Sequence, residues 1–335
     1  MTILPIPPFF ESKKVGEVWR VPYEERARQA ADWARQHGLG AAATSKKRIW
    51  LLLVDVQNTF CIPEFELFVA GRSGRGAVED NVRLCEFIYR NLGTITHISA
   101  TMDTHLSQQV FHAIFFVDKD GNHPAPYTNI RASELKSGKW NFNPALAPNF
   151  NISADYGQQM MIHYADALEK KGKYALTIWP YHAMLGGIGH ALVSSVEEAI
   201  FFHSMARLSQ SEFEIKGNQP FTENYSVIGP EVTRGPKGEV LGEHNKKFIE
   251  TLKQSDALII TGQAKSHCVA WTISDLLDDI NATDKSLAKK VYLLEDCTSP
   301  VVVPGADFTD AANEAFDKFE KAGMHRVKST EFEIR

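Results

Sequence analysis

Residues 48–60 read RIWLLLVDVQNTF, and the fold turns on how this stretch is taken. Ile49–Val56 is apolar except for Asp55 and is closed by Gln57-Asn58. An alternating pattern would mark a strand with one wet face. An unbroken run of this length marks a strand buried on both faces. Working outward, further strands are predicted at Ile95–Ala100 (running on to Asp103), Glu212–Ile215, Asp256–Thr261, Val291–Leu294 and, short and last, Arg326–Lys328. Helices are predicted at Ala77–Asn91, stopped by Gly93, and at Ala191–Ser209, Cys268–Ile280 and Asp307–Ala322. Strands that alternate with helices imply an α/β chain. Its mostly parallel central sheet should be flanked by helices on both faces, in three Rossmann-like layers.

Two segments stand outside that rhythm. Residues 1–46 form an N-terminal extension, with a helix expected at Tyr23–Gln36 and its stop at His37-Gly38. The segment at about 118–177 is rich in Asn, Pro, Lys and Gly and holds one expected helix, Ala154–Lys171. It reads as a large, lid-like insertion in a main domain spanning 47–335 rather than as a domain of its own.

The chain has 335 residues, 44% hydrophobic and 23% charged, which places it among globular rather than disordered or fibrous proteins. A net charge of -5 gives no reason to expect nucleic acid or an anionic membrane as partner. No apolar run nears the roughly 18 residues of a membrane span. The Pro-rich start, Met1–Glu11, lacks the apolar core of a signal peptide. Cys61, Cys85, Cys268 and Cys297 are widely spaced and include no C-x-x-C pair, so reduced thiols in a cytoplasmic protein are expected. A homo-oligomer is left open.

The reactive residue types fall at the ends of predicted strands, where open α/β sheets bind their ligands. Asp55 closes the first strand, Asp103 and His105 follow the second, and Lys216 ends another. Cys268 lies in TGQAKSHCVAWT (Thr261–Thr272), after a strand and at the expected start of a helix. A thiol there is drawn toward thiolate by the helix dipole and its unsatisfied N–H groups, which can also hold an oxyanion. The ordinary alternative, a small buried core residue, is kept for Cys61, Cys85 and Cys297. Asp55 is either a turn cap or a partly desolvated proton carrier. Gly217 after Lys216 lets the backbone turn the ammonium inward. In TMDTH, Asp103 and His105 are two apart, so in an extended segment they point alike, as a shared metal requires. His112 and His182 (in WPYH) are further candidates, with a buried structural role open for His112. Mixed imidazole and carboxylate ligands suit Zn, Mn, Fe or Ni rather than Ca or Mg.

At these residues the sequence resembles the nicotinamidase/isochorismatase-like cysteine hydrolases. The family's D-x-Q-x-x-F matches Asp55, Gln57 and Phe60, and its D-x-H metal pair matches Asp103 and His105. Its W-P-x-H matches Trp179-Pro180-Tyr181-His182, and its K-G with a later Y-S matches Lys216-Gly217 and Tyr225-Ser226. Its G-x-A-x-x-x-C-V-x-x-T matches Gly262, Ala264, Cys268, Val269 and Thr272. Each element is degenerate alone, but five in family order across about 48–328 are specific. The W-P-x-H and K-G elements, with the metal pair, tilt the match toward metal-containing nicotinamidases. Lys265-Ser266 stands where nicotinamidases usually carry Thr-Asp, and Ala183 where they commonly have Cys.

The resemblance implies an isochorismatase-like fold and an amidohydrolase that frees ammonia from a small aromatic amide such as nicotinamide. Cys268 would be the nucleophile, Asp55 the proton carrier and Lys216 their electrostatic partner. The amides of Ala264 and Cys268 would form the oxyanion hole, with the Gln263–Ala264 peptide cis. Phe60, Trp179 and Tyr225 would bind the substrate. Asp103, His105 and His182, with His112 as a fourth candidate, would hold one divalent ion, zinc first among Zn, Mn, Fe and Ni. The alternatives are a related hydrolase of another amide or ureido compound, and a catalytically silent metabolite-binding member.

Overall fold

The computed structural model describes residues 3–171, 174–303 and 305–332. The first two residues of the extension and residues 172–173 of the expected insertion thus lie outside the described residues. The chain divides into two compact units. The first comprises Met1–Met102, Ile188–Ile215 and Lys246–Arg335, and the second Asp103–Gly187 and Lys216–Asn245.

The central sheet is built from β1 (Ile49–Val54), β2 (His97–Asp103), β3 (Glu212–Lys216), β4 (Ala257–Gly262), β5 (Val291–Leu294) and β6 (His325–Val327), in the order β6-β5-β4-β1-β2-β3. The β6–β5, β5–β4, β4–β1 and β1–β2 pairs are all parallel. Every residue of β1, β4 and β5 is buried, as the unbroken apolar runs require. Ile49, Leu51 and Leu53 on one face of β1 share a core with Leu84, Phe87 and Ile88 of the Gly76–Arg90 helix and with Val196, Ala199 and Ile200 of the Ser194–Arg207 helix. Trp50 points to the other face and stacks on Phe248 of the Lys247–Gln254 helix, ring centroids 5.4 Å apart. The three-layer expectation holds.

Most predicted elements recur with shifted ends, and two shifts have clear causes. β2 starts at His97 rather than Ile95, because Ile95 N–H is committed to Asn91 O at the end of the preceding helix. The helix expected at Cys268 begins as α-helix only at Ala270. One π-helical turn, Lys265–Val269, comes first and is closed by Val269 N–H on Ala264 O at 3.2 Å. The Lys247–Gln254 helix has no counterpart among the predicted elements.

The N-terminal segment is built into the first unit. Leu4, Val15 and Ala30 join its core, and Arg26 Nε donates to the buried Glu198 at 2.6 Å beneath the ring of Phe9. The second unit has its own core, in which Phe111, Phe115, Phe142 and Ile178 join Met161 and Tyr164 of the Ala154–Lys171 helix. Val232 and Leu241 complete this core, so the 216–245 stretch folds with the segment read as an insertion. Among the described residues, no helix is long and apolar enough to cross a membrane.

One buried histidine makes the first unit acid-sensitive. His203 Nε2 lies 3.0 Å from Ile95 O, so that nitrogen carries the proton, while buried Nδ1 has no hydrogen-bond partner. Burial, aided by the Arg207 charge and opposed by the Ile95 bond, lowers its pKa from 6.5 to about 4. The unfolded chain therefore takes up this proton first. Stability is intact above pH 6.5 and falls as pH drops toward 4. Between pH 7 and 4.5 the loss should be on the order of 2–3 kcal/mol. Because Gln cannot take a proton, His203→Gln is expected to flatten the fall in Tm over that range. An unchanged slope would assign the effect to other groups.

Candidate functional site

The candidate residues divide between the units. Asp55, Phe60, Ala264 and Cys268 belong to the first, and Asp103, His105, His112, Trp179, His182, Lys216 and Tyr225 to the second.

In the first unit, β1 and β4 pair to their last residues, Val54 opposite Gly262. Gly262 has φ +121°, and a Cβ there would sit 2.0 Å from Val54 O, so only glycine allows this approach. The chain leaves β1 at Asp55, which is fully buried and takes φ +47°, a left-handed conformation costly for a residue with a Cβ. Thr101 holds it there. Asp55 N–H donates to Thr101 Oγ1 at 3.0 Å, and that hydroxyl donates to Asp55 Oδ1 at 2.5 Å. Sequence reasoning missed Thr101. Its only trace was a hydroxyl just past the apolar run Ile95–Ala100, where a buried hydroxyl must find a partner.

From Gly262 the chain enters the turn that carries Cys268. The Gln263–Ala264 peptide is cis, as the resemblance implied. Gln263 N–H donates to Val54 O at 2.8 Å and Lys265 N–H to Ser299 O at 2.8 Å. Ser266 Oγ accepts from Val301 N–H at 3.0 Å, so the turn is pinned on both sides. Cys268 keeps 8% of its surface, whereas Cys61, Cys85 and Cys297 keep 1% or less. Burial pushes those three thiols up, away from the reactive thiolate. Phe60 is buried in the helical turn Asn58–Cys61.

In the second unit, Asp103, His105 and His182 each offer a ligand atom within 4.8 Å of the others, and all three are buried. His105 Nε2 lies 2.8 Å and His182 Nε2 3.6 Å from Asp103 Oδ2. Their other nitrogens face backbone carbonyls: His105 Nδ1 is 3.2 Å from Gly217 O, and His182 Nδ1 is 2.8 Å from Pro180 O. A carbonyl only accepts, so each Nδ1 carries the hydrogen, which leaves both Nε2 lone pairs aimed at one carboxylate oxygen. That is the tautomer and orientation by which second-sphere carbonyls prepare histidine for a metal. Gly217, φ +84°, completes the cradle. A Cβ there would lie 3.0 Å from both Asp103 Oδ1 and His105 Cε1.

Lys216 Nζ donates to the remaining oxygen, Asp103 Oδ1, at 2.9 Å and to Asn224 O at 2.9 Å. Burial alone would raise the Asp103 pKa. The two histidines that face it and the Lys216 charge outweigh burial and hold it well below the usual carboxylate range. His112 is fully buried, its ring 6.1 Å from that of His105, with the backbone of Leu106 and Ser107 as its polar neighbours. Burial, with His105 and His182 nearby, lowers its pKa to about 3, so its lone pair is available to an ion. It stands outside the tight three-residue group. Trp179 Nε1 donates to Tyr225 Oη at 3.1 Å, which joins two of the three expected substrate residues.

Two further residues of this unit escaped the sequence. Buried Gln109 ties its own loop to the Lys216-Gly217 turn, accepting from Leu106 N–H at 2.9 Å and donating to Gly217 O at 2.6 Å. Its place at helical spacing between His105 and His112 was the available signal. Glu223 is buried, and burial with the Asp103 and Glu231 charges pushes its carboxyl well up, against the pull of Lys216. The same burial favours its neutral form.

No sequence-family profile matches the chain, and no curated protein matches it. Solved structures do. The yeast nicotinamidase Pnc1p bound to the inhibitor nicotinaldehyde is 18% identical, covering 84% of this chain and 99% of its own, at a TM-score of 0.50. An Acinetobacter baumanii nicotinamidase/pyrazinamidase is 17% identical over 86% and 99%, at 0.48. The Pyrococcus horikoshii pyrazinamidase in complex with zinc is 16% identical over 84% and 99%, at 0.44. The likeness at 0.50 establishes a shared fold, the isochorismatase-like α/β fold.

The buried histidine geometry makes a metal testable. Protein purified without chelators should carry close to one divalent ion per chain by elemental analysis, and His105→Ala and His182→Ala should lose it. His112→Ala should weaken retention by at least the ~10–100-fold that loss of an outer partner costs. A metal-free preparation with full thermal stability and activity would refute the assignment.

Proposed function

We propose that this chain, which has the isochorismatase-like fold, is a cysteine amidohydrolase that frees ammonia from a small aromatic amide of the nicotinamide class. One observation carries the reading. The pairing of Val54 with Gly262 sends a buried carboxylate, Asp55, and the Cys268 turn out from the same end of two adjacent strands. An acid and a thiol so placed have the composition of a nucleophile with its proton carrier.

In the proposed reaction, Asp55 takes the Cys268 proton and the thiolate attacks the amide carbon. The Ala264 and Cys268 N–H groups take the charge that develops on oxygen. The C–N bond breaks as Asp55 returns the proton to the departing nitrogen, giving ammonia and a thioester. Water then adds to the thioester with Asp55 again as base, which frees the acid and the thiol. Lys216 is assigned charge balance in this cycle, and Phe60, Trp179 and Tyr225 are assigned the flat ring of the substrate. Asp103, His105 and His182, with His112, would hold the divalent ion, of which zinc is the first choice. When bound, it supplies a Lewis acid that can anchor a ring nitrogen.

Ammonia release should be measured across nicotinamide, pyrazinamide and small ureido acids. Nicotinamide is expected to lead. Turnover only of ureido compounds would move the chain to that class of amide, and no turnover of any would favour a silent binding member. Cys268→Ser should abolish turnover with Tm nearly unchanged, because the hydroxyl is a similar shape but a far weaker nucleophile. Even a tenth of the parent rate in that variant would remove Cys268 from the mechanism. Iodoacetamide should label Cys268 well before Cys61, Cys85 or Cys297.

A further inference from the structure

The turn before Cys268 is gripped from a distance. Gln263 Nε2 donates to Asp80 Oδ2 at 2.8 Å, across 183 residues of sequence. Gln263 Oε1 accepts from Ser299 N–H at 3.3 Å, and Ser299 O in turn accepts from Lys265 N–H at 2.8 Å. Asp80 is itself fixed: Arg83 Nη2 donates to its Oδ1 at 2.8 Å, Arg83 Nε donates to Asp296 O, and the Ser299 side chain bonds it as well. Gly76, Asp80 and Arg83 follow at i, i+4 and i+7 on the Gly76–Arg90 helix, so one face supplies the whole grip. Gly76 belongs to it because a Cβ there would lie 2.6 Å from Ser299 Oγ. Asp80 and Gln263 are both buried, at 2% and 1% exposure.

We propose that Asp80 is a positioning residue for the reaction: through Gln263 it fixes the peptide plane that carries the Ala264 N–H of the oxyanion hole. This rests on the reading of Cys268 as nucleophile. Stability alone is a poor reason for the arrangement. A buried carboxylate is costly, and apolar packing of the same shape often serves a core as well or better. Hydrogen bonds do what apolar packing cannot, which is to fix rotation about the bonds of Gln263. An N–H aimed at a developing charge is effective only when its direction is set beforehand.

Three variants test this with nicotinamide as substrate and pyridine-3-carbaldehyde as probe, since an aldehyde adds the thiolate and generates the oxyanion. Asp80→Leu should lower kcat by about tenfold to a hundredfold, short of the 10²–10³ for losing a whole donor, with KM changed less than about twofold. Aldehyde affinity should fall in parallel, while affinity for the acid product holds. Asp80→Asn still offers an oxygen to Gln263 and should recover most of kcat. Gln263→Ala cuts the same contact from the other side, so it decides the matter should Asp80→Leu fail to fold. Lower Tm with kcat and aldehyde affinity unmoved in both variants would show a structural role only and overturn the proposal. An active Cys268→Ser parent would instead overturn the nucleophile assignment, so the two failures are distinguishable.

Discussion

The first unit's site depends on how closely β1 and β4 approach at their carboxyl ends. Val54 and Gly262 are register partners, and the missing Cβ of Gly262 is what lets Val54 O come within reach of Gln263 N–H. With the pair closed to its last residue, both chains must turn at once. Asp55 does so through a left-handed conformation, which costs roughly 1–3 kcal/mol in a residue other than glycine. The paired hydrogen bonds with Thr101 offset that cost. Any side chain at 262 would separate the strands, free Val54 O and remove the reason for Asp55 to turn where it does.

The second unit solves a different problem, which is how to bury several ionisable groups together. A buried carboxylate is tolerated when each oxygen is answered, and Asp103 meets that condition with Lys216 on one oxygen and the two histidines on the other. For Glu223, burial raises the pKa and so favours the uncharged form. The histidines are the interesting members. With both Nδ1 hydrogens committed to carbonyls, each Nε2 facing the carboxylate oxygen requires either a second proton or an ion between them. Two imidazolium rings with centroids 4.6 Å apart would repel each other, so one divalent ion satisfies the set with less charge conflict.

Much of this was legible in the sequence, for reasons that differ by residue. Unbroken apolar runs gave away β1, β4 and β5, because burial on both faces leaves no room for alternation. Asp55, Asp103 and His105 were legible because each lies at or just past a strand end within a short motif, and Cys268 and His182 because their loops carry motifs of their own. The π-helical turn was not, since TGQAKSHC carries the composition of an ordinary helix start and the wider turn depends on Ala264 O receiving Val269. Thr101, Asp80 and Gln263 were not legible because their partners lie 46 or 183 residues away. The single local trace of Asp80 is a carboxylate among Val78, Leu84 and Cys85 on a buried helix face, and that pattern by itself has many explanations.

Distance in sequence also explains how a shared fold persists at 18% identity to a solved structure. A sheet core accepts many apolar side chains of similar volume, so its sequence drifts while its layers stay. The directions of a few N–H and O–H groups do not tolerate drift, because a hydrogen bond weakens steeply once its angle closes below about 120°. What must persist is therefore a sparse set: a glycine where two strands touch, a carboxylate and a thiol beyond them, and the polar residues that hold their backbones in register. In this chain the Gly76–Arg90 helix carries both kinds of residue. Leu84, Phe87 and Ile88 pack the core, while Asp80 and Arg83 face the Gln263 and Ser299 turns. The packing face could change by conservative steps, but the polar face could change only together with the turn it holds.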